Sequence, residues 1–370
     1  MKRPATALVV AVALALGFPG RTDQASVSWN AGANRALSAF SAMQRFFYHK
    51  STGLYASAYP APPKEKASTL WPFSQALAAT VSVAQLDPRR SFAQVAIRDR
   101  LRGLGRYWNA RLRPQGYEAI IGAAGEQYYD DNAWVGLELV RINVLTGNRF
   151  ALRRAIRLFD LLASGWDTTS THPCPGGVFW TRKPQIRHRN TVSTANAAQL
   201  AVALYQRTHR IRYVTWAKTM YKWVNRCLTA SNRLFADHID LTGRVDAAQW
   251  SYNQGAMIAA GVRLFQATRD PAYLEQAEQV ADDAIHAYEP YDSTTEPPYF
   301  LAIFFDDVAL LDRVDRDRVY TDAVRTYANA VAATALDPRT GLVRFKRGRP
   351  VQLLEQAALV RVYASLAATP

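Results

Sequence analysis

QYYDDNAWVGLELV, Gln127 to Val140, decides how this chain is read. Trp134, Leu137, Val140 and Val144 recur at helical spacing, so a helix opens at the two aspartates, Asp130 and Asp131. Acidic side chains at a helix start cap exposed N–H groups and complement the helix dipole. One aspartate is enough for that. Two side by side repel each other, and the neighbouring tyrosines raise the cost of ionising both. Capping and catalysis both stay open from the pair alone.

Outward from this stretch, helical patterning predicts twelve helices: residues 29–49, 69–85, 92–108, Asp130 to the Thr-Gly-Asn at 146–148, 150–164, 191–207, 213–228, 252–268, 272–288, 300–311, 320–336 and 353–367. No convincing strand block interrupts them. They fall into six pairs with a visible repeat. Helices starting near Asn132, Asn196 and Asn253 continue with Ala, Gly and Leu, and end at Thr-Gly-Asn, Thr-His-Arg and Thr-Arg-Asp. These Asn positions stand 64 and 57 residues apart. First helices carry small residues (Gly136, Ala195, Ala198, Gly255, Gly261) and suit an inner ring. Second helices carry charge (Arg153, Arg157, Lys218, Lys222) and suit the outside. Six inner and six outer helices closing on themselves make an all-α (α/α)6 barrel, with an open α-solenoid as the rival. Apolar residues on several faces of the terminal helices favour closure. Inner-helix starts then converge on one mouth, which gathers carboxylates, amides and aromatics suited to sugar hydroxyls and pyranose faces.

Of the 370 residues, 49% are hydrophobic and 20% charged, which describes an ordinary globular chain with a large core. The net charge of +15 is carried by scattered arginines. It reads as a solvated basic surface, open to loose association with an anionic envelope, with no nucleic-acid partner expected. Lys2 and Arg3 precede an apolar run at 5–18 broken by Pro19 and Gly20, the layout of a signal peptide. Residues 1–25 are therefore expected to be an export signal, although an uncleaved anchor stays open, and 26–370 a single catalytic domain, secreted or envelope-associated and monomeric. In an exported protein Cys174 and Cys227 invite a disulfide over two separate thiols. No metal or cofactor site is readable.

Glycoside hydrolysis needs two carboxyl groups, about 5–5.5 Å apart for retention and about 6.5–9.5 Å for inversion. Consecutive α-carbons lie about 3.8 Å apart, so adjacent aspartates fit retention better. Asp282–Asp283 reads as a solvated outer face. Asp306–Asp307 reads as a salt bridge to Arg313 or Arg316 ahead of a substrate contact. His172, His188 and His238 read as surface loop groups, which weakens a sugar isomerase or epimerase, since those usually employ catalytic histidines.

YYDDNAWVGLELV resembles the signature of glycoside hydrolase family 76, the endo-α-1,6-mannanases, as do TLWPFSQAL at 69–77, GGVFWTR at 176–182, RNTVSTANAAQLAVALY from Arg189 and WSYNQGAMIAAGVRLFQAT from Trp250. The resemblance implies an (α/α)6 fold and cleavage of internal α-1,6-mannosidic bonds. It makes Asp130 the nucleophile and Asp131 the general acid/base. It places Trp71, Gln75, Tyr129, Trp180, Asn196, Tyr252, Asn253 and Gln254 along the sugar subsites. It departs from the family pattern at Tyr299–Ala302, where many members carry Lys-Gly. The substrate expected is α-mannan or a mannose-containing envelope glycan, with no cofactor. Transglycosylation of the same glycans and non-catalytic glycan binding are the alternatives.

Overall fold

The computed structural model describes residues 22–86, 91–122, 125–291, 295–315 and 319–368. Most of the expected export signal therefore lies outside the described residues. Twelve helices are described: α1 (Thr22–Phe47), α2 (Leu70–Leu86), α3 (Ser91–Leu104), α4 (Tyr129–Thr146), α5 (Arg149–Ser164), α6 (Thr191–Thr208), α7 (Ile211–Leu228), α8 (Ser251–Thr268), α9 (Ala272–Tyr288), α10 (Pro298–Asp315), α11 (Val319–Thr334) and α12 (Leu353–Ala368).

The even-numbered helices form the inner ring. Each packs on the next, and α12 packs back on α2, so the ring is closed. Outer helices α3, α5, α7, α9 and α11 lie on the inner helix before them, while α1 lies on α12. The result is an (α/α)6 barrel, not an open solenoid. Position in the ring explains composition. From Thr191 to Leu204 every residue of α6 is buried, whereas α5 buries the stripe Ala151, Ala155, Leu158, Phe159 and Leu162 and exposes Arg153 and Arg157. Inner helices approach closely where side chains vanish. A Cβ on Gly255 of α8 would stand 2.8 Å from the Phe304 α-carbon of α10.

No strand block interrupts the described helices, but short ladders of two or three residues occupy the loops that feed the inner helices. One of these ladders and three single bridges form a repeated joint. Tyr117, Val178, Phe235 and Val343 each bridge to Trp108, Trp166, Thr229 or Leu336, a residue just beyond the preceding outer helix. Each also gives its backbone N–H to the fourth residue of the next inner helix: Asn132 Oδ1 at 2.8 Å, Thr194 Oγ1 at 2.9 Å, Gln254 Oε1 at 2.8 Å and Gln356 Oε1 at 3.0 Å. Asn132 and Gln254 donate back to the carbonyl of the same residue, at 3.0 and 2.9 Å. A side-chain amide thus completes a ladder that the backbone cannot.

The far ends of these helices repeat in step. Gly147, His209 and Arg269 close α4, α6 and α8 in the left-handed conformation. Asn132, Thr194 and Gln254 are spaced by 62 and 60 residues, and so are the three caps. The Asn132–Asn196–Asn253 register read from sequence is therefore shifted by two residues and by one. Its error was to match residue identity, whereas the joint needs only an acceptor of suitable reach.

Replacing Gln254 with Leu strands the buried Phe235 N–H and C=O. A loss of about 1–3 kcal/mol is expected in urea unfolding, against little change for an exposed control such as Gln206→Leu.

Candidate active site

Asp130 and Asp131 are the second and third residues of α4. Tyr128 precedes the helix in an extended conformation and offers no side-chain cap, so the exposed N–H groups of the first turn face the carboxylates. Asp130 Oδ2 accepts a 3.0 Å hydrogen bond from Trp180 Nε1, while its Oδ1 is buried without a partner. Burial raises the Asp130 pKa, and nearby Asp237 raises it further. The Trp180 indole and the N–H groups of Asp130 and Asp131 pull it back down. Asp131 is raised well above its usual range by burial and by the charge on Asp130. Both carboxyls are raised, Asp130 to about 7 and Asp131 well above its usual range. Only Asp130 has donors that reward ionisation, so the shared proton resides on Asp131.

Trp180 begins a continuous wall. Its ring meets Tyr128 edge-on at 4.9 Å and stacks on His188 at 5.5 Å, and His188 stacks on His238 at 4.0 Å. One antiparallel pairing of short strands, His188–Asn190 with His238–Asp240, brings the histidines together. His238 Nδ1 lies 2.8 Å from Asp237 Oδ2, and Asp237 Oδ1 accepts from Asn253 Nδ2 at 3.1 Å and Tyr252 Oη at 3.4 Å. Tyr252 then packs on Phe300 at 4.1 Å. Burial, Asp237 and Asp130 hold the Tyr252 phenol far above its usual pKa, so it stays a donor.

The loop carrying Trp180 is pinned at several points. Arg189, fully buried, bonds Asp167 Oδ2 at 3.0 Å and the carbonyls of Pro173, Cys174 and Asp240 at 3.1, 3.1 and 2.8 Å. A Cys174–Cys227 disulfide with α-carbons 6.1 Å apart ties the loop to the end of α7. Gly176 and Gly177 take φ of 108° and 83° against Trp223, whose ring a Cβ at Gly177 would meet at 2.4 Å. Only glycine satisfies both the backbone and the contact.

Of the residues expected to line subsites, Trp180, Tyr252 and Asn253 gather around Asp130 and Asp237. Trp71, the second residue of α2, meets Trp134 at 6.0 Å beside α4. Asn196 is fully buried, bonded to Gln199 at 3.0 Å, with its Nδ2 unpartnered. Three others are engaged elsewhere. Tyr129 packs its ring on Gly165, Gln254 is the joint described above, and Gln75 accepts from Arg361 in a cavity at the opposite end of the barrel. Asp306 pairs with Arg361 at 2.7 Å in that same cavity, rather than with the arginines expected from sequence. His188 and His238, read as surface groups, stand in the site wall. Asp237, which the sequence pattern does not single out, stands beside them. RHRN ends directly at α6, whereas ADHID ends ten residues before α8, so only the first segment is marked by its position.

A closed helical toroid with a buried carboxyl pair at one mouth places the chain in the class of (α/α)6 barrel proteins. A profile of Glycosyl hydrolase family 76 matches residues 31–340, and the chain belongs to that family. It is similar to the mannan endo-1,6-alpha-mannosidase DCW1 of Saccharomyces cerevisiae, 29% identical over 120 residues, covering 30% of this chain and 26% of that protein. It is also 24% identical over 255 residues to the Meiotically up-regulated gene 191 protein of Schizosaccharomyces pombe, covering 63% and 55%. These matches span from about a quarter to about half of each curated relative. The fold matches that of the family 76 mannosidase Bt3792 of Bacteroides thetaiotaomicron with a TM-score of 0.83 and 23% identity, over 91% of this chain and 98% of that one. It matches the α-1,6-mannanase GH76A of Salegentibacter sp. HEL1_6, an inactive variant in complex with α-1,6-mannotriose, with a TM-score of 0.74 and 19% identity, over 92% and 100%.

Trp180→Phe keeps the ring and removes the N–H to Asp130. Because that bond lowers the Asp130 pKa, its loss is expected to move the carboxyl titration to higher pH, read from carboxyl ¹³C shifts against wild type.

Proposed function

We propose that this chain is an exported, retaining glycoside hydrolase that cuts internal α-1,6-mannosidic bonds of α-mannan or mannose-containing envelope glycans. The observation that carries this reading is the unequal Asp130–Asp131 pair at the aromatic mouth. One carboxyl is stabilised as an anion by the Trp180 N–H, and the other is held protonated by burial and by its neighbour. Asp130 attacks the anomeric carbon while Asp131 gives its proton to the departing glycosidic oxygen, leaving a glycosyl ester on Asp130. Asp131, now ionised, takes a proton from water as that water attacks the same carbon and frees Asp130. Two inversions restore the α configuration. Trp71, Trp180, Asn196, Tyr252 and Asn253 contact the bound sugars, and Asp237 faces the positive charge that develops at the anomeric centre.

Support comes from the family. In the Salegentibacter α-1,6-mannanase the inactive variant has two consecutive aspartates changed to asparagine, and several curated relatives are mannan endo-1,6-alpha-mannosidases. Export rests on the basic start and apolar run at 2–18, which precede the family match at residue 31. Residues 1–25 are then the signal and 26–370 the single domain. No helix of the described residues is long and apolar enough to cross a membrane.

Incubation with linear α-1,6-mannan is expected to release oligosaccharides whose freshly formed ends are α-anomers by ¹H NMR. β-Anomers would contradict retention, and no products at all would sink the hydrolase reading. Asp131→Asn is expected to lower kcat by about 10²–10⁴-fold with the fold intact by circular dichroism.

A further inference from the structure

The excess positive charge is not spread evenly around the mouth. Loops 58–69 and 336–352, which feed α2 and α12, hold seven Lys and Arg against two Asp and Glu. That is a net +5 of the chain's +15, in 29 of its 370 residues. Loops 229–250 and 289–297, which feed α8 and α10, hold two Lys and Arg against six Asp and Glu.

The two basic loops form one surface. Ala58–Tyr59 pairs with Val351–Gln352, and the Leu353 N–H donates to the Ser57 carbonyl at 2.8 Å. Lys64, Lys66, Arg339 and the four cations of RFKRGR at 344–349 are all exposed. None of the seven lies within ion-pair distance of a carboxylate among the described residues. The two acids of these loops are engaged locally. Glu65 accepts from the Ser57 N–H and hydroxyl, both at 2.8 Å, and Asp337 from the Arg339 N–H and the Thr340 hydroxyl, both at 2.9 Å. Unpaired like charges repel, so the cluster is a cost to the free protein.

The neighbouring loop adds apolar tips to the same rim. The Leu70 N–H at the start of α2 donates to the Ala119 carbonyl at 2.8 Å, and Tyr107 Oη donates to the Ser68 carbonyl at 2.7 Å. The Ala119 N–H closes the neck of this loop on the Glu126 carbonyl at 2.8 Å. Beyond that neck Ile120 and Ile121 stand 49% and 38% exposed, and Tyr59 beside the basic loops is 37% exposed. The isoleucine loop leads into α4, so its tip stands on the rim next to the helix of Asp130.

We propose that this arc of the rim docks the mouth on an anionic lipid surface. Ile120, Ile121 and Tyr59 enter the headgroup layer, and the seven cations meet the lipid phosphates. A soluble polyanion would pair with the cations but leave the isoleucines in water, so the combination favours a bilayer. On the hydrolase reading, the docked mouth meets glycans rooted in that surface, whereas docking itself needs no catalysis.

Sedimentation of the full chain with phosphatidylcholine vesicles, and with the same vesicles containing phosphatidylglycerol, tests this. At about 0.1 M salt the anionic vesicles are expected to bind at least about tenfold more tightly, and about 1 M salt to remove that preference. Lys64→Gln, Lys66→Gln, Lys346→Gln and Arg347→Gln combined are expected to lose at least about tenfold on anionic vesicles. Arg153→Gln, Arg210→Gln, Lys222→Gln and Arg269→Gln remove four exposed cations outside these loops and are expected to change binding little. Ile120→Ser with Ile121→Ser is expected to weaken it several-fold with unchanged circular dichroism. All forms carry the same apolar run at 5–18, so the differences between them read the rim. Asp131→Asn is expected to bind as wild type does, so a failed hydrolase reading leaves docking intact. Equal binding to the two vesicles, an equal loss in the control variant, or an isoleucine variant as tight as wild type would overturn the proposal. The last outcome assigns the cations to a soluble polyanion instead.

Discussion

Two carboxyl groups on consecutive residues of a buried helix start cannot both carry charge, and the mouth of this barrel is built around which one does. Each additional anion in such a space is penalised by burial and by its neighbour. The outcome therefore depends on which oxygen meets donors. The Trp180 indole meets Asp130, so the loop holding Trp180 matters as much as the helix holding the aspartates. That explains its several restraints: a fully buried Arg189, a disulfide to α7, and two glycines lying flat on Trp223. A shift of an ångström at Trp180 would remove the asymmetry between two otherwise similar side chains.

Much of the architecture was legible because its physics is periodic. Helix number, order and inner or outer position follow from where apolar residues recur and where arginines interrupt them, as the contrast between α6 and α5 illustrates. Closure was legible less directly, through apolar residues on several faces of the terminal helices. The exact repeat was not. Asn132, Thr194, Gln254 and Gln356 perform one task with three residue types. Only the position of an acceptor on the first turn is constrained, and sequence identity is blind to that.

The site was legible where it lies on helix starts and obscure where it lies on pairing between loops. Asp130, Asp131, Tyr252 and Asn253 are close to helix beginnings, so the convergence of six parallel inner helices places them together. His188, His238 and Asp237 come from segments about fifty residues apart, joined by a three-residue ladder. Nothing local in either segment reports its partner. Gln75 and Gln254 misled for the opposite reason. Both sit near inner-helix starts, but a residue's rotation about the axis decides whether it reaches the mouth, the neighbouring loop or the barrel interior, and each turned away.

The common direction of the inner helices also divides the two ends electrostatically. Six N-termini at the mouth present partial positive charge, and six C-termini at the other end present partial negative charge. Two deep carboxylates away from the mouth accordingly come with guanidinium partners, Glu138 with Arg141 and Asp306 with Arg361. Asp130 has no such partner. Its donors are neutral: an indole N–H and backbone N–H groups. A guanidinium in their place would stabilise the carboxylate more strongly and make it a weaker base and nucleophile. The indole and the backbone N–H groups of the helix start offset part of the burial cost of one anion at the mouth without that penalty. A carboxylate that must form and release an ester is best held in this way, by dipoles rather than by a formal charge.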